Sequence, residues 1–192
     1  MLVKRSSALQ ESDERLMIRA GRGDRAACEV LVERHLGRIV SFARRSVGTS
    51  ADAEDLAQEV FLRVWAAAPR WTTKARFTTW LYRVATNVCL DHIAKKREVA
   101  DGEAREVADP RPEPSAALHE ARLARHVREA LAGLPETQRT AITLCHYQGL
   151  RNIEAAEAMG VSVEALESLL ARARRTMGAR LRPLAAALLA AE

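Results

Sequence analysis

Cysteine is scarce and follows no pattern. The chain has three, Cys28, Cys89 and Cys145, odd in number, far apart and without a CxxC. This argues against a disulfide framework and a zinc site. It suits small apolar side chains in a reducing compartment. Long apolar runs are also missing. Nothing approaches the roughly 18 consecutive apolar residues of a membrane span. Met1 to Gln10 carries a Lys-Arg pair but no apolar stretch of the secretory type. A cytoplasmic location and no membrane insertion are expected. Glycine is sparse, and neither a Gly-rich phosphate loop nor an HExxH occurs among His35, His92, His119, His126 and His146. No enzyme activity, metal or cofactor is expected. His35 and His92 lie at or beside apolar helical faces and read as packing residues.

Acidic residues are missing from two long stretches. Lys and Arg number 30 against 25 Asp and Glu over 192 residues, a net charge of only +5, so distribution matters more than total. From Val60 to Leu90 there is no acid, while Arg63, Arg70, Lys74, Arg76 and Arg83 are present. From Ser168 to Ala191 there is again none, while Arg172, Arg174, Arg175, Arg180 and Arg182 are present. Aromatics are rare as well, three Trp, three Phe and two Tyr, yet Trp71, Phe77, Trp80 and Tyr82 fall together inside the first acid-free stretch. Bases stack on such rings while Lys74, Arg76 and Arg83 would hold the backbone, which suits single-stranded DNA. Asn87, further along, could read the edge of a flipped base. Phe77 and Trp80 fit a helical core stripe equally well.

What is present is a 3.6-residue apolar period, so the chain reads as all-α. A short helix is expected around Glu11 to Ala20. A first long window, Asp24 to Arg45, places Cys28, Leu31, Val32, Leu36, Ile39, Val40 and Ala43 on one face, with Gly48 as its stop. A second follows Thr49-Ser50, both good caps, with Asp52, Glu54 and Asp55 in its first turn. Its inner stripe is Leu56, Val60, Phe61, Val64 and Ala68. A third runs from Phe77 to about Lys96, with Phe77, Leu81, Val84, Ala85, Val88 and His92 inward. Glu98 to Pro114 then has acids, three prolines and no stripe, the composition of a flexible linker. Helices resume at Ser115 to Leu131, Pro135 to Tyr147 with Pro135 as first residue, Asn152 to Met159, and Val163 to about Leu181. The architecture expected is two small helical domains, 11–97 and 115–182, joined by an acidic, Pro-containing linker, 98–114.

The second domain holds a helix-turn-helix pattern. Met159-Gly160-Val161-Ser162 joins a short helix to a longer one, with Gly160 suited to a left-handed turn. Ile153, Val161, Leu166 and Leu170 are expected to form the shared core, with Leu169 extending it. The outward face offers Glu164, Glu167, Ser168, Ala171, Arg172 and Arg175. Glu167 can accept from cytosine N4 and Arg172 can pair with guanine. A helical hairpin with a solvated basic face fits the pattern too.

Asp52-Ala-Glu-Asp-Leu-Ala-Gln-Glu-Val-Phe-Leu-Arg-Val-Trp65 closely resembles region 2.2 of the extracytoplasmic-function (ECF) group of sigma-70 factors. Phe77 to Asn87 is similar to regions 2.3 and 2.4. Leu131 to Arg139 resembles the start of region 4, and Gly149 to Arg175 resembles region 4.2. The resemblance implies that Asp52, Asp55, Gln58 and Glu59 face the clamp helices of the largest subunit of core RNA polymerase. It implies that Trp80, Tyr82 and Asn87, with the basic Lys74, Arg76 and Arg83, melt and read the −10 element of promoter DNA. Glu167, Ser168 and Arg172, with Arg175, would read the −35 element, and the second domain would touch the flap of the second-largest subunit. It also implies transcription initiation in a stress or extracytoplasmic response, under an anti-sigma factor. Two positions depart from the family. Ala155 stands where a larger aliphatic is usual, which predicts a less filled helix-turn-helix core, and Glu167 stands where a basic residue is common. A duplex-binding regulator would leave the first domain idle. An adaptor that sequesters an anti-sigma protein would not need the DNA-reading residues.

Overall fold

The computed structural model describes residues 11–48, 50–100 and 117–189. Among these every regular element is helical. The first four helices are α1 (Asp13–Gly21), α2 (Arg25–Val47), α3 (Ser50–Ala67) and α4 (Phe77–Ala100), with a 3₁₀ turn at Ala68–Arg70. The remaining four are α5 (Ala117–Ala132), α6 (Glu136–Ile142), α7 (Asn152–Met159) and α8 (Val163–Leu189). A π-helical turn, Thr143–Tyr147, follows α6.

Local chemistry sets the ends. Asp24 caps α2 by accepting from the N–H of Ala26 at 3.0 Å and of Ala27 at 3.4 Å. Gly48 closes α2 at φ 90°. Gly21 has no room for a side chain, because a Cβ there would lie 2.4 Å from the Ala68 carbonyl oxygen. That lets the end of α1 touch the 3₁₀ turn.

Buried apolar residues from α1 to α4 fill the first part of the core. The expected α3 stripe is buried throughout: Leu56, Val60, Phe61, Val64 and Ala68. In α4, Phe77, Leu81, Ala85 and Val88 are buried, while Val84 and His92 are half-buried. On α2 the inner face is rotated from the expected one. Ala27, Leu31, His35, Ile39, Phe42 and Ser46 face inward, and Leu36 is 41% exposed. His35 is buried for a polar reason: its Nε2 lies 2.7 Å from Asp13 Oδ2, and its ring packs on Phe77.

The second half is built around α8, against which α5, α6 and α7 pack. Leu131, Leu134, Ile142, Leu144, Leu166, Leu170 and Ala173 are buried there. Several boundaries differ from expectation. The α4 helix continues through Ala100, past Arg97, and α8 runs through Pro183 to Leu189. Ala-rich sequence favours this last extension. Pro135 has φ −52° and ψ 143° and is the cap of α6, one residue outside the helix. Thr49, the linker from 101 to 114, and Ser115 lie outside the described residues.

Candidate nucleic-acid interface

Helical geometry sorts the α4 residues by side. Arg76 precedes the first turn and its carbonyl accepts from the Trp80 N–H at 3.1 Å. Trp80, Arg83 and Asn87 follow at spacings of three and four, so all four share one stripe. Arg76, Arg83 and Asn87 are exposed and Trp80 is half-buried. Beside the stripe lies a cleft of about 550 Å³, lined by Arg63, Arg70, Trp71, Lys74 and Trp80 among others. Trp71 stands edge-on to Trp80 with ring centroids 6.3 Å apart, and it touches Phe77 in the same way. The core takes Phe77, and the cleft takes Trp80. Trp71, Arg63 and Arg70 line the cleft without being among the expected site residues. Their place in the same acid-free stretch was the available signal.

Tyr82 is not on this stripe. Two positions beyond Trp80, it points to another side of α4 and is 2% exposed. Its hydroxyl donates to Gln148 Oε1 at 2.7 Å. Burial pushes its phenol pKa up, and the nearby Arg38 partly opposes that. The expectation that Tyr82 faces DNA is therefore not met in this arrangement.

On α3, Asp55 and Gln58 are exposed and Glu59 is half-buried, as an outer polar face requires. Glu59 accepts from Arg63 Nε at 2.8 Å. Asp52 departs from the expected outward placement. It is half-buried toward α4, 3.1 Å from Lys96 Nζ and 3.6 Å from His92 Nε2.

The helix-turn-helix forms as its turn chemistry demands. Gly160 has φ 66° and ψ 32°, and the Val161 N–H reaches back to the Ala156 carbonyl at 3.0 Å. Ser162 Oγ accepts from the Ala165 N–H at 3.2 Å to start α8. At the start of α7, Glu154 accepts from the Arg151 N–H and from its guanidinium, each at 3.0 Å. These bonds hold its carboxyl below the usual range. The inner face consists of Ala155, Ala156, Ala158, Leu166, Leu170 and Ala173, all buried, with Leu169 half-buried beside it. Ile153 is 67% and Val161 36% exposed, so neither belongs to the shared core as expected. Ile153 lies two positions from Ala155, on the far side of a short helix.

Glu164, Glu167, Ser168, Ala171, Arg172 and Arg175 are all exposed on one face of α8. Asn152 Nδ2 donates to Glu167 Oε1 at 3.3 Å, which ties the start of α7 to α8. The three cysteines are free, and burial pushes the Cys89 thiol up to about 12. No described helix is long and apolar enough to cross a membrane.

Comparison with known proteins follows the same division. The family profile described as Sigma-70 region 2 matches residues 31–99, and that described as Sigma-70, region 4 matches residues 124–177. RNA polymerase sigma-H factor of Pseudomonas aeruginosa is 31% identical over 91% of this chain and 96% of its own length. ECF RNA polymerase sigma factor SigW of Bacillus subtilis is 31% identical over 85% of this chain and 93% of its own. Among solved structures, CnrH in complex with the cytosolic domain of CnrY aligns at TM-score 0.69 and 29% identity, covering 90% of this chain and 99% of that one. The sigma factor RpoE in complex with the anti-sigma factor NepR, from Bartonella quintana, aligns at 0.68 and 25%, covering 80% and 96%.

Proposed function

The chain belongs to the ECF group of the sigma-70 family, and we propose that its two DNA surfaces divide promoter recognition between melting and duplex reading. It is a transcription-initiation factor and not an enzyme. It binds core RNA polymerase and promoter DNA, and acts where the polymerase is, in the cytoplasm. The observation that carries the division is the pairing, in one chain, of an aromatic, basic cleft with a helix-turn-helix. A duplex regulator needs only the second.

In this reading, residues 11–100, to the end of α4, form region 2 and residues 115–182 form region 4, with 101–114 as the linker. Asp55, Gln58 and Glu59 meet the clamp helices of the largest subunit. Trp71 and Trp80 stack against unpaired bases of the −10 strand. Lys74, Arg76 and Arg83 hold its phosphates, and Asn87 reads a base edge. On α8, Glu167, Ser168, Arg172 and Arg175 meet the −35 duplex, while the same domain contacts the polymerase flap. An anti-sigma factor holds the protein until a stress or extracytoplasmic signal releases it. Two similar solved structures are complexes, one with the cytosolic domain of CnrY and one with an anti-sigma factor.

The test is run-off transcription by core RNA polymerase, with and without the protein, on a random promoter library at fixed salt. Transcripts sharing two spaced elements are expected. Specific duplex binding without transcripts would instead make it a conventional regulator.

A further inference from the structure

The segment that lines the basic cleft, residues 68–76, is held at both ends by α1. At its start, the Ala68 carbonyl oxygen lies 2.4 Å from where a Cβ of Gly21 would stand. The two chains meet there backbone to backbone. At its end, Glu14 Oε1 accepts from the Phe77 N–H at 3.0 Å. Between these points Arg70, Trp71, Thr72, Lys74 and Ala75 line the cleft. The α1 helix is itself fixed to α2. Asp13 accepts from Arg34 Nη1 at 2.6 Å and lies 2.7 Å from His35 Nε2. The His35 ring in turn packs on Phe77, with centroids 5.4 Å apart.

The Glu14 bond meets a need that the local sequence leaves open. The first N–H groups of a helix have no partner inside it. A side chain just before the helix commonly accepts from one of them. Ala75 and Arg76 carry no side-chain acceptor. An acid at either position would suit the helix dipole. It would also place a negative charge on the stripe of Arg76, Trp80 and Arg83, in a stretch where Val60 to Leu90 has no acid. Glu14 supplies the carboxylate from α1, which packs against α4. The turn it starts is the one that carries Trp80, whose N–H bonds to the Arg76 carbonyl at 3.1 Å.

We propose that Glu14 is a positioning residue for promoter melting. Its bond to Phe77 fixes the first turn of α4, and with it Trp71, Lys74 and Trp80, in the arrangement that captures an unpaired base. The proposal rests on the reading of α4 as a single-strand surface, and Glu14 itself touches no DNA. Ordering a segment at the moment of binding costs affinity, whereas a segment held beforehand at both ends avoids that cost. The effect of Glu14 therefore falls on opening, where the segment meets the strand. Docking of α8 on duplex DNA does not depend on it.

The test uses holoenzyme assembled from core RNA polymerase and the full chain, on a promoter recovered from the random library. Permanganate reactivity gives the rate of opening, and gel retardation in the cold gives closed docking. Glu14→Ala should slow opening several-fold and leave docking nearly unchanged. Glu14→Gln should restore most of the rate, because the amide oxygen still accepts from the Phe77 N–H. Gly21→Ala, which crowds the other end of the segment, should slow opening in the same way. In a Trp80→Ala background the Glu14→Ala loss should shrink, because the ring it places is gone. Equal loss of opening and docking, no rescue by glutamine, or full additivity with Trp80→Ala would mark general destabilisation and overturn the proposal. Opening by Glu14→Ala at the wild-type rate overturns it as well. A wild-type chain that opens no promoter would instead sink the reading of α4 itself.

Discussion

Trp71 and Trp80 meet edge to face, 6.3 Å between ring centroids and 62° between planes, at the mouth of the basic cleft. Neither ring is fully buried, so each keeps surface for a stacked base. Trp80→Ala should slow promoter opening by an amount equivalent to about 1–3 kcal/mol, the range for one base stacked on an aromatic ring. Initial docking to closed promoter should change much less. Permanganate footprinting separates opening from docking, and equal loss of both would remove the stacking role.

The helical character, the α3 stripe and the exposed face of α8 are all legible in the sequence, because each rests on period and caps that act locally. Tyr82 was misplaced for a reason also present in the sequence. It sits 200° around the helix from Trp80, whereas Arg83 and Asn87 sit close to the Trp80 side. Nearness along the chain does not reveal that angle. Gln148 gave no signal at all. Its role depends on a contact between residues 66 positions apart and on a π turn that no local rule marks. The helix-turn-helix pattern puts Ile153 in the shared core, whereas the inner face of α7 is made of alanines and Ile153 is exposed.

Arg172 stands exposed on α8 with no acid following it up to Ala191. Arg172→Ala should weaken −35 binding by about 1–3 kcal/mol and relax preference at one base pair. Arg175→Ala should instead weaken all sequences alike and lower the salt slope by about one, the result expected of a contact to a phosphate. Titration of duplex DNA at several salt concentrations distinguishes the two. Core-polymerase binding that fell with Arg172→Ala would point to misfolding.

Gly160 adopts φ 66° between α7 and α8, where no neighbour blocks a Cβ. The penalty for a side chain there is conformational, not steric crowding by other residues. Gly160→Ala should cost about 1 kcal/mol of stability and Gly160→Asn less, since asparagine tolerates this region better. Urea unfolding of the full chain gives the order. A larger loss for Asn than for Ala would contradict the left-handed turn as the cause.

Asp13 ties α1 to α2 through Arg34 Nη1 at 2.6 Å and His35 Nε2 at 2.7 Å. Burial alone would raise its pKa, but the hydrogen bonds from His35 and Arg34 outweigh burial and place it below the usual 3.8. A carboxyl whose folded value is depressed adds stability above its unfolded pKa and loses it as pH falls through the folded one. The wild-type protein should therefore weaken below about pH 4. Asp13→Asn should lose on the order of 1–3 kcal/mol at neutral pH, because the amide offers one accepting oxygen where the carboxylate offered two and carries no charge beside Arg34. The same variant should show a shallower acid limb. Some slope remains in it, since Asp24 and Glu154 are also held below their usual values. Denaturant midpoints measured from pH 7 to pH 3 would show both effects. A variant with the wild-type acid slope would mean that Asp13 is not among the groups that titrate on unfolding.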